Sequence, residues 1–155
     1  MDAAVVAAII TASVAFLAFL ADRYREAVDR KRRVAADALS DALLWLEMPY
    51  RIRRRADDSS ATLSSLTERM HQLQEKHVFN ASWLRVEIPA AHPAYVALLR
   101  SVREQAGPHI QAAWNSTPAE RPDLMNVGEL FQVDVTKEIA AYVEALARSL
   151  RPFPW

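Results

Sequence analysis

Residues 3–21 read AAVVAAIITASVAFLAFLA, nineteen positions without a charge, followed at once by Asp22-Arg23-Tyr24-Arg25. As a helix this run is roughly 28 Å long, close to the hydrocarbon thickness of a bilayer, about 30 Å. Nine of its residues are Val, Ile, Leu or Phe and eight are Ala. The nine large side chains supply roughly −3 to −5 kcal/mol toward insertion, and the alanines add little. The run therefore reads as a membrane span of modest hydrophobicity. A cleaved signal peptide would need a positive n-region, and only Met1 and Asp2 precede the run. The buried central helix of a soluble fold would be as apolar, but an uncharged run of about eighteen residues more often marks a span.

The flanks predict an orientation. Arg23, Arg25, Arg30, Lys31, Arg32 and Arg33 follow the span, and no Lys or Arg precedes it. The positive-inside rule then puts the N-terminus outside and the rest of the chain in the cytoplasm, at the inner membrane, with these six cations in reach of lipid headgroups. In that compartment the sequons at Asn80 and Asn115 are chance matches. Within the span, Ala4, Ala8, Thr11, Ala12 and Ala15 repeat a small-xxx-small spacing that lets two helices approach closely in lipid.

No break signal separates Ala21 from Asp22, so the span is expected to continue as one helix to about Met48, where Pro49 ends or kinks it. Its expected apolar face is Ala35, Leu39, Ala42, Leu43 and Leu46. A turn over 56–60 offers N-cap residues. A second helix is expected from about Ser60 to Val78 or Val86, with a face of Leu63, Leu66, Met70, Leu73 and His77 and a register break near Phe79-Asn80. The third starts near Pro93 on Tyr95, Leu98, Leu99 and Val102. It stops at Gly107-Pro108, the strongest breaker pair, with a short piece over 110–114 and a loop over 115–123 beyond. The fourth runs from about Gly128 to Leu150 on Val135, Ile139, Tyr142, Val143, Leu146 and Leu150. The fold class is thus all-α: a single transmembrane helix (1–21) continuous with an antiparallel four-helix bundle (22–151), then an aromatic tail (152–155).

Composition narrows the function. There is no cysteine, which removes disulfides, thiol nucleophiles and Cys-based zinc sites. Two glycines are too few for a phosphate-binding loop. Net charge is zero, with +3 over residues 1–55 and −3 over 56–155, which argues against nucleic acid as a partner. Glu68 and His71 form one Glu-x-x-His, half of a bundle di-iron motif, but the remaining ligands are not in place. His71 and His77 are six apart and cannot share a metal on one helical face. No catalytic residue, metal or cofactor is expected.

Arg51, Arg53, Arg54 and Arg55 form a basic run roughly 45 Å beyond the span if the helix is straight, out of reach of lipid. They read as a solvated helix end pairing with Asp57 or Asp58, or as a contact for an acidic partner. Trp45 and Trp83 read as core, whereas Trp114, Phe153 and Trp155 read as contacts for a partner. The expectation is a non-enzymatic, membrane-anchored helical module that assembles with itself or with another protein. Two other outputs fit the same architecture. One is an oligomerising effector whose spans perturb the membrane, with Thr11 and Ser13 as its polar residues. The other is a metal-dependent bundle enzyme on Glu68 and His71.

Overall fold

The computed structural model describes residues 2–119 and 133–151, without the side chains of 7–9. Among the described residues there are five helices and no strand: α1 (Ala3–Leu46), α2 (Met48–Arg53), α3 (Ser60–Glu87), α4 (His92–Asn115) and α5 (Thr136–Ser149). The fold is all-α, a long N-terminal apolar helix followed by packed helices. The chain divides into two compact units, Met1–Arg33 and Val34–Trp155.

The first unit is the N-terminal part of α1. By length and composition α1 is sufficient to cross a membrane, and none of its most apolar window of 18 residues is buried. Val14 and Phe16 are each 61% exposed. That is not the environment of a buried core helix. Ala4, Thr11, Ala12 and Ala15 are exposed, and the side chain of Ala8 lies outside the described residues. Beyond the apolar run, Arg23, Arg25 and Arg32 each pair with an acid three positions away on the same helix, at 3.4 Å (Glu26), 3.6 Å (Asp22) and 3.4 Å (Asp29). Such exposed pairs contribute about 0–1 kcal/mol each and exchange readily. Arg23 also lies over the Phe19 ring, 5.5 Å from its centroid.

The second unit is built around α4, which packs against α2, α3 and α5. Tyr95, Leu98, Leu99, Val102, Ala106, Ile110 and Ala113 bury one continuous face of it. This corrects the expected stop at Gly107-Pro108, because α4 carries Pro108 in its interior. The proline forfeits one backbone hydrogen bond, but burial of apolar groups on both sides of it outweighs that loss. The pieces expected over 93–107 and 110–114 are therefore one helix.

Pro49 behaves as expected. α1 ends at Leu46, and the proline sits in the first turn of α2, where its missing N–H costs nothing. Ser59 caps α3, its hydroxyl accepting from the Thr62 N–H at 3.3 Å. α3 then runs unbroken to Glu87, with no register break at Phe79-Asn80. Its buried series is Leu73, His77, Asn80 and Leu84, while Leu63, Leu66 and Met70 are half-buried. A turn over 88–91 leads into α4, so α3 and α4 form a helical hairpin.

Two apolar faces are rotated from expectation. In α1 the buried positions are Ala35, Ala38, Asp41, Ala42 and Trp45, and Leu43 is exposed. In α5 they are Tyr142 and Ala145, flanked by half-buried Ile139 and Leu146, with Val143 exposed. The small side chains mark where helices approach, and the Tyr142 hydroxyl donates to the Ala35 carbonyl at 3.0 Å. The expected start of this helix at Gly128 and the tail residues Phe153 and Trp155 lie outside the described residues.

Candidate functional site

Helical spacing puts Asp41 on the alanine face of α1 and puts His77 and Asn80 on the buried face of α3, so the polar groups meet inside the second unit. The Asp41 carboxylate accepts from Lys76 Nζ at 3.0 Å and from Asn80 Nδ2 at 3.0 Å. Its backbone carbonyl accepts from His77 Nε2 at 3.0 Å. The second ring nitrogen of His77, Nδ1, faces Arg103 Nη2 at 3.4 Å. A carbonyl can only accept and a guanidinium can only donate, so both contacts together require the neutral imidazole with its proton on Nε2. Burial holds the His77 pKa below its ordinary 6.5, and the nearby Arg103 charge adds to that, against the bond to Asp41. The ring also packs on Trp45, 5.6 Å between centroids. Tyr95 lies fully buried beside this cluster, and burial raises its phenol to about 12. The Asn80 amide is committed to Asp41, and among the described residues no group forms a geometrically good hydrogen bond to the Tyr95 hydroxyl. The cluster ties α1 to α3 through one carboxylate and one carbonyl. It fixes the register of these two helices rather than presenting a reactive group.

The exposed side of α3 carries four large apolar residues over 78–86. Val78 lines the groove toward α4, while Phe79, Trp83 and Val86 fall at i, i+4 and i+7 and form one stripe. In chain order the four are 66%, 62%, 40% and 69% exposed. This corrects the reading of Trp83 as core. The Phe79 and Trp83 rings lean on each other one turn apart, 6.3 Å between centroids. Phe79 and Leu44 of α1 border a groove that is otherwise polar, lined by Asp37, Ser40, Asp41, Lys76 and Asn80. Of the leucines expected in the core of α1, Leu43 is exposed, while Leu39 is half-buried against the core, as is Leu44. The density of large residues over 78–86 was legible in sequence. Its assignment to a second face was not, because so dense a run of large residues reads as a register break at Phe79-Asn80, whereas α3 is continuous there.

The basic run is split by the structure. Arg55 is buried, 6% exposed. Its guanidinium donates to the Ile52 carbonyl at 2.9 Å, the Ala113 carbonyl at 3.1 Å, the Ser116 carbonyl and Asp58 Oδ1 at 2.6 Å. It thus satisfies terminal carbonyls of α4 from the end of α2. The pairing with Asp58 matches expectation, but Arg55 is buried where a solvated position was expected. Arg53 is half-buried, and its backbone carbonyl accepts from Ala119 N–H at 3.1 Å. Arg51 and Arg54 are exposed and line a groove with Ser65, Leu66, Glu68, Arg69 and Gln72. Glu68 accepts from Gln72 Nε2 at 3.0 Å, and His71 is exposed. Among the described residues no three His, Asp or Glu side chains are grouped so as to hold a metal ion. Trp114 is half-buried and packs against the core. No protein-family model, curated protein or solved structure matches this chain.

Proposed function

We propose that this protein is a single-pass, membrane-anchored helical module that assembles with a second copy of itself through the stripe of α3. The observation that carries the reading is the exposed apolar surface of Val78, Phe79, Trp83 and Val86 on α3. Isolated exposed apolar residues are ordinary, but a contiguous patch on a helix whose other side is already buried asks for a cover. Anchoring supports self-assembly over capture of a soluble partner. Chains held in one bilayer meet at a raised effective concentration, so a patch of modest area suffices. Ala4, Thr11, Ala12 and Ala15 add a second self-complementary surface in the apolar run. The basic flank of Arg23, Arg25, Arg30, Lys31, Arg32 and Arg33 supports an orientation with the helical unit in the cytoplasm. No catalytic step is part of this reading.

The test is the mass of the intact assembly of the full chain, measured in mild detergent across a range of protein-to-detergent ratios. A dimer or higher closed oligomer that persists on dilution is expected. A monomer at every ratio would remove the proposal. For orientation, a reporter fused after Trp155 is expected to be active only in the cytoplasm, and activity on the other side would reverse it.

A further inference from the structure

The helical hairpin of α3 and α4 carries a groove that meets the assembly surface at Val78 alone and does not depend on that reading. Val78 and Ala81 line it from α3, and Val96 and Leu99 line it from α4. Arg100, Arg103 and Glu104 follow at i+4, i+7 and i+8 from Val96, so one face of α4 passes from apolar to charged along the groove. Its volume is about 490 Å³, within the range of small-ligand sites. The buried His77 lines it as well. Arg103 Nη2 faces the Nδ1 atom of that ring at 3.4 Å. The ring is itself fixed, by the bond from Nε2 to the Asp41 carbonyl and by its packing on Trp45. A neutral imidazole occupies one of the five guanidinium N–H groups and offsets none of the charge. Among the described residues Arg100, Arg103 and Glu104 form no ion pair. Two guanidinium groups and one carboxylate leave the groove one net positive charge.

The geometry points to this groove as a binding site for a small, soluble monocarboxylate with an apolar body. The body lies on Val78, Ala81, Val96 and Leu99, and the carboxylate meets Arg103, with Arg100 one turn away as a second cation. A guanidinium presents forked N–H pairs that match the two carboxylate oxygens. Arg103 is steadied by a neutral ring rather than by an acid, so its charge stays available and less side-chain freedom is lost on binding. Glu104 on the same face opposes a second negative charge, which disfavours a dianion. The apolar walls give nothing to a bare inorganic anion.

Hexanoate serves as the probe and hexanamide as its uncharged counterpart of the same shape. The full chain, in nanodiscs of phosphatidylcholine, is titrated calorimetrically with each at pH 7.5, with empty discs as the blank. Saturable binding of hexanoate above the blank is expected, with hexanamide weaker by about tenfold or more, since it forgoes the charge-assisted hydrogen bonds. Arg103→Gln is expected to weaken hexanoate by a similar factor, and Arg51→Gln, outside the groove, to leave it unchanged. Circular dichroism melts check that each variant is folded. The comparison of hexanoate with hexanamide uses the wild-type chain alone, so it decides the matter even if Arg103→Gln does not fold. Absence of saturable binding above the blank, hexanamide binding as tightly as hexanoate, or unchanged affinity in a folded Arg103→Gln overturns the proposal.

Discussion

His77 couples the buried cluster to pH. Its native pKa lies below 6.5 because the ring is buried and its Nδ1 faces a guanidinium. In the unfolded chain the same imidazole titrates near about 6.5. Above that pH neither state binds the proton, and the contribution to stability is fully present. As pH falls through the unfolded value, the unfolded chain takes up a proton that the native ring refuses. Stability therefore declines, by at most about 1.4 kcal/mol per pH unit, until the native pKa is reached. Thermal melts of the full chain between pH 7.5 and 5 are expected to show this fall, and His77→Gln, which does not titrate, is expected to flatten it. An unchanged slope in that variant would place the effect elsewhere. The lowered pKa values of Asp57 and Asp134, from hydrogen bonds to Ser59 and Thr136, act in a lower window, below their ordinary 3.8. His77 was legible as a member of an apolar face, but its partners were not, because they arrive from α1 and α4. Arg55 left a signal that the charge run masked. Met48, Ile52 and Arg55 fall at i, i+4 and i+7, so the arginine continues the buried face of α2.

At the scale of elements, α4 sets a local preference against a packed face, and the face wins. Proline inside a helix costs about 3 kcal/mol. Full burial of each large apolar side chain contributes about 1.5–3 kcal/mol, and Leu98, Val102 and Ile110 alone exceed the loss. Gly107 helps the helix pass, since a residue with a Cβ before proline is driven out of the helical region. A Cβ at Gly107 would otherwise meet nothing within 4 Å. Pro108→Ala is therefore expected to stabilise the protein by up to about 3 kcal/mol, read as a higher melting temperature. Gly107→Ala is expected to stabilise by up to about 1 kcal/mol only in the Pro108→Ala background, which makes the two changes non-additive. Equal gains in both backgrounds would show that the proline does not constrain its neighbour. The same contest explains the rotated face of α1. Leucines carry more hydrophobicity than alanines, so a periodicity reading follows Leu39 and Leu43. Close helix approach instead selects Ala35, Ala38 and Ala42, and that depends on the other helices.

At the scale of the molecule, α3 separates what holds the fold from what is free to assemble. Leu84 is fully buried, while Trp83 and Val86 on either side of it are exposed. A polar change on one side of this helix should act on stability, and on the other side on association. Phe79→Gln combined with Val86→Gln removes two large apolar groups that are 62% and 69% exposed. Glutamine keeps a good helix propensity, so the melting curve is expected to move by no more than about 0.5 kcal/mol in stability. The assembly in mild detergent is expected to dissociate. Leu84→Gln buries an amide with no partner in the second unit and is expected to lose several kcal/mol, on the order of 3–5. If the exposed pair lowered stability as much as Leu84→Gln, the stripe would be part of the core of the fold. If it left both stability and assembly mass unchanged, the stripe would not be the assembly surface. The comparison thus tests the stripe as the assembly surface; its large residues were legible as an apolar segment in the sequence, while their exposure was set only by packing.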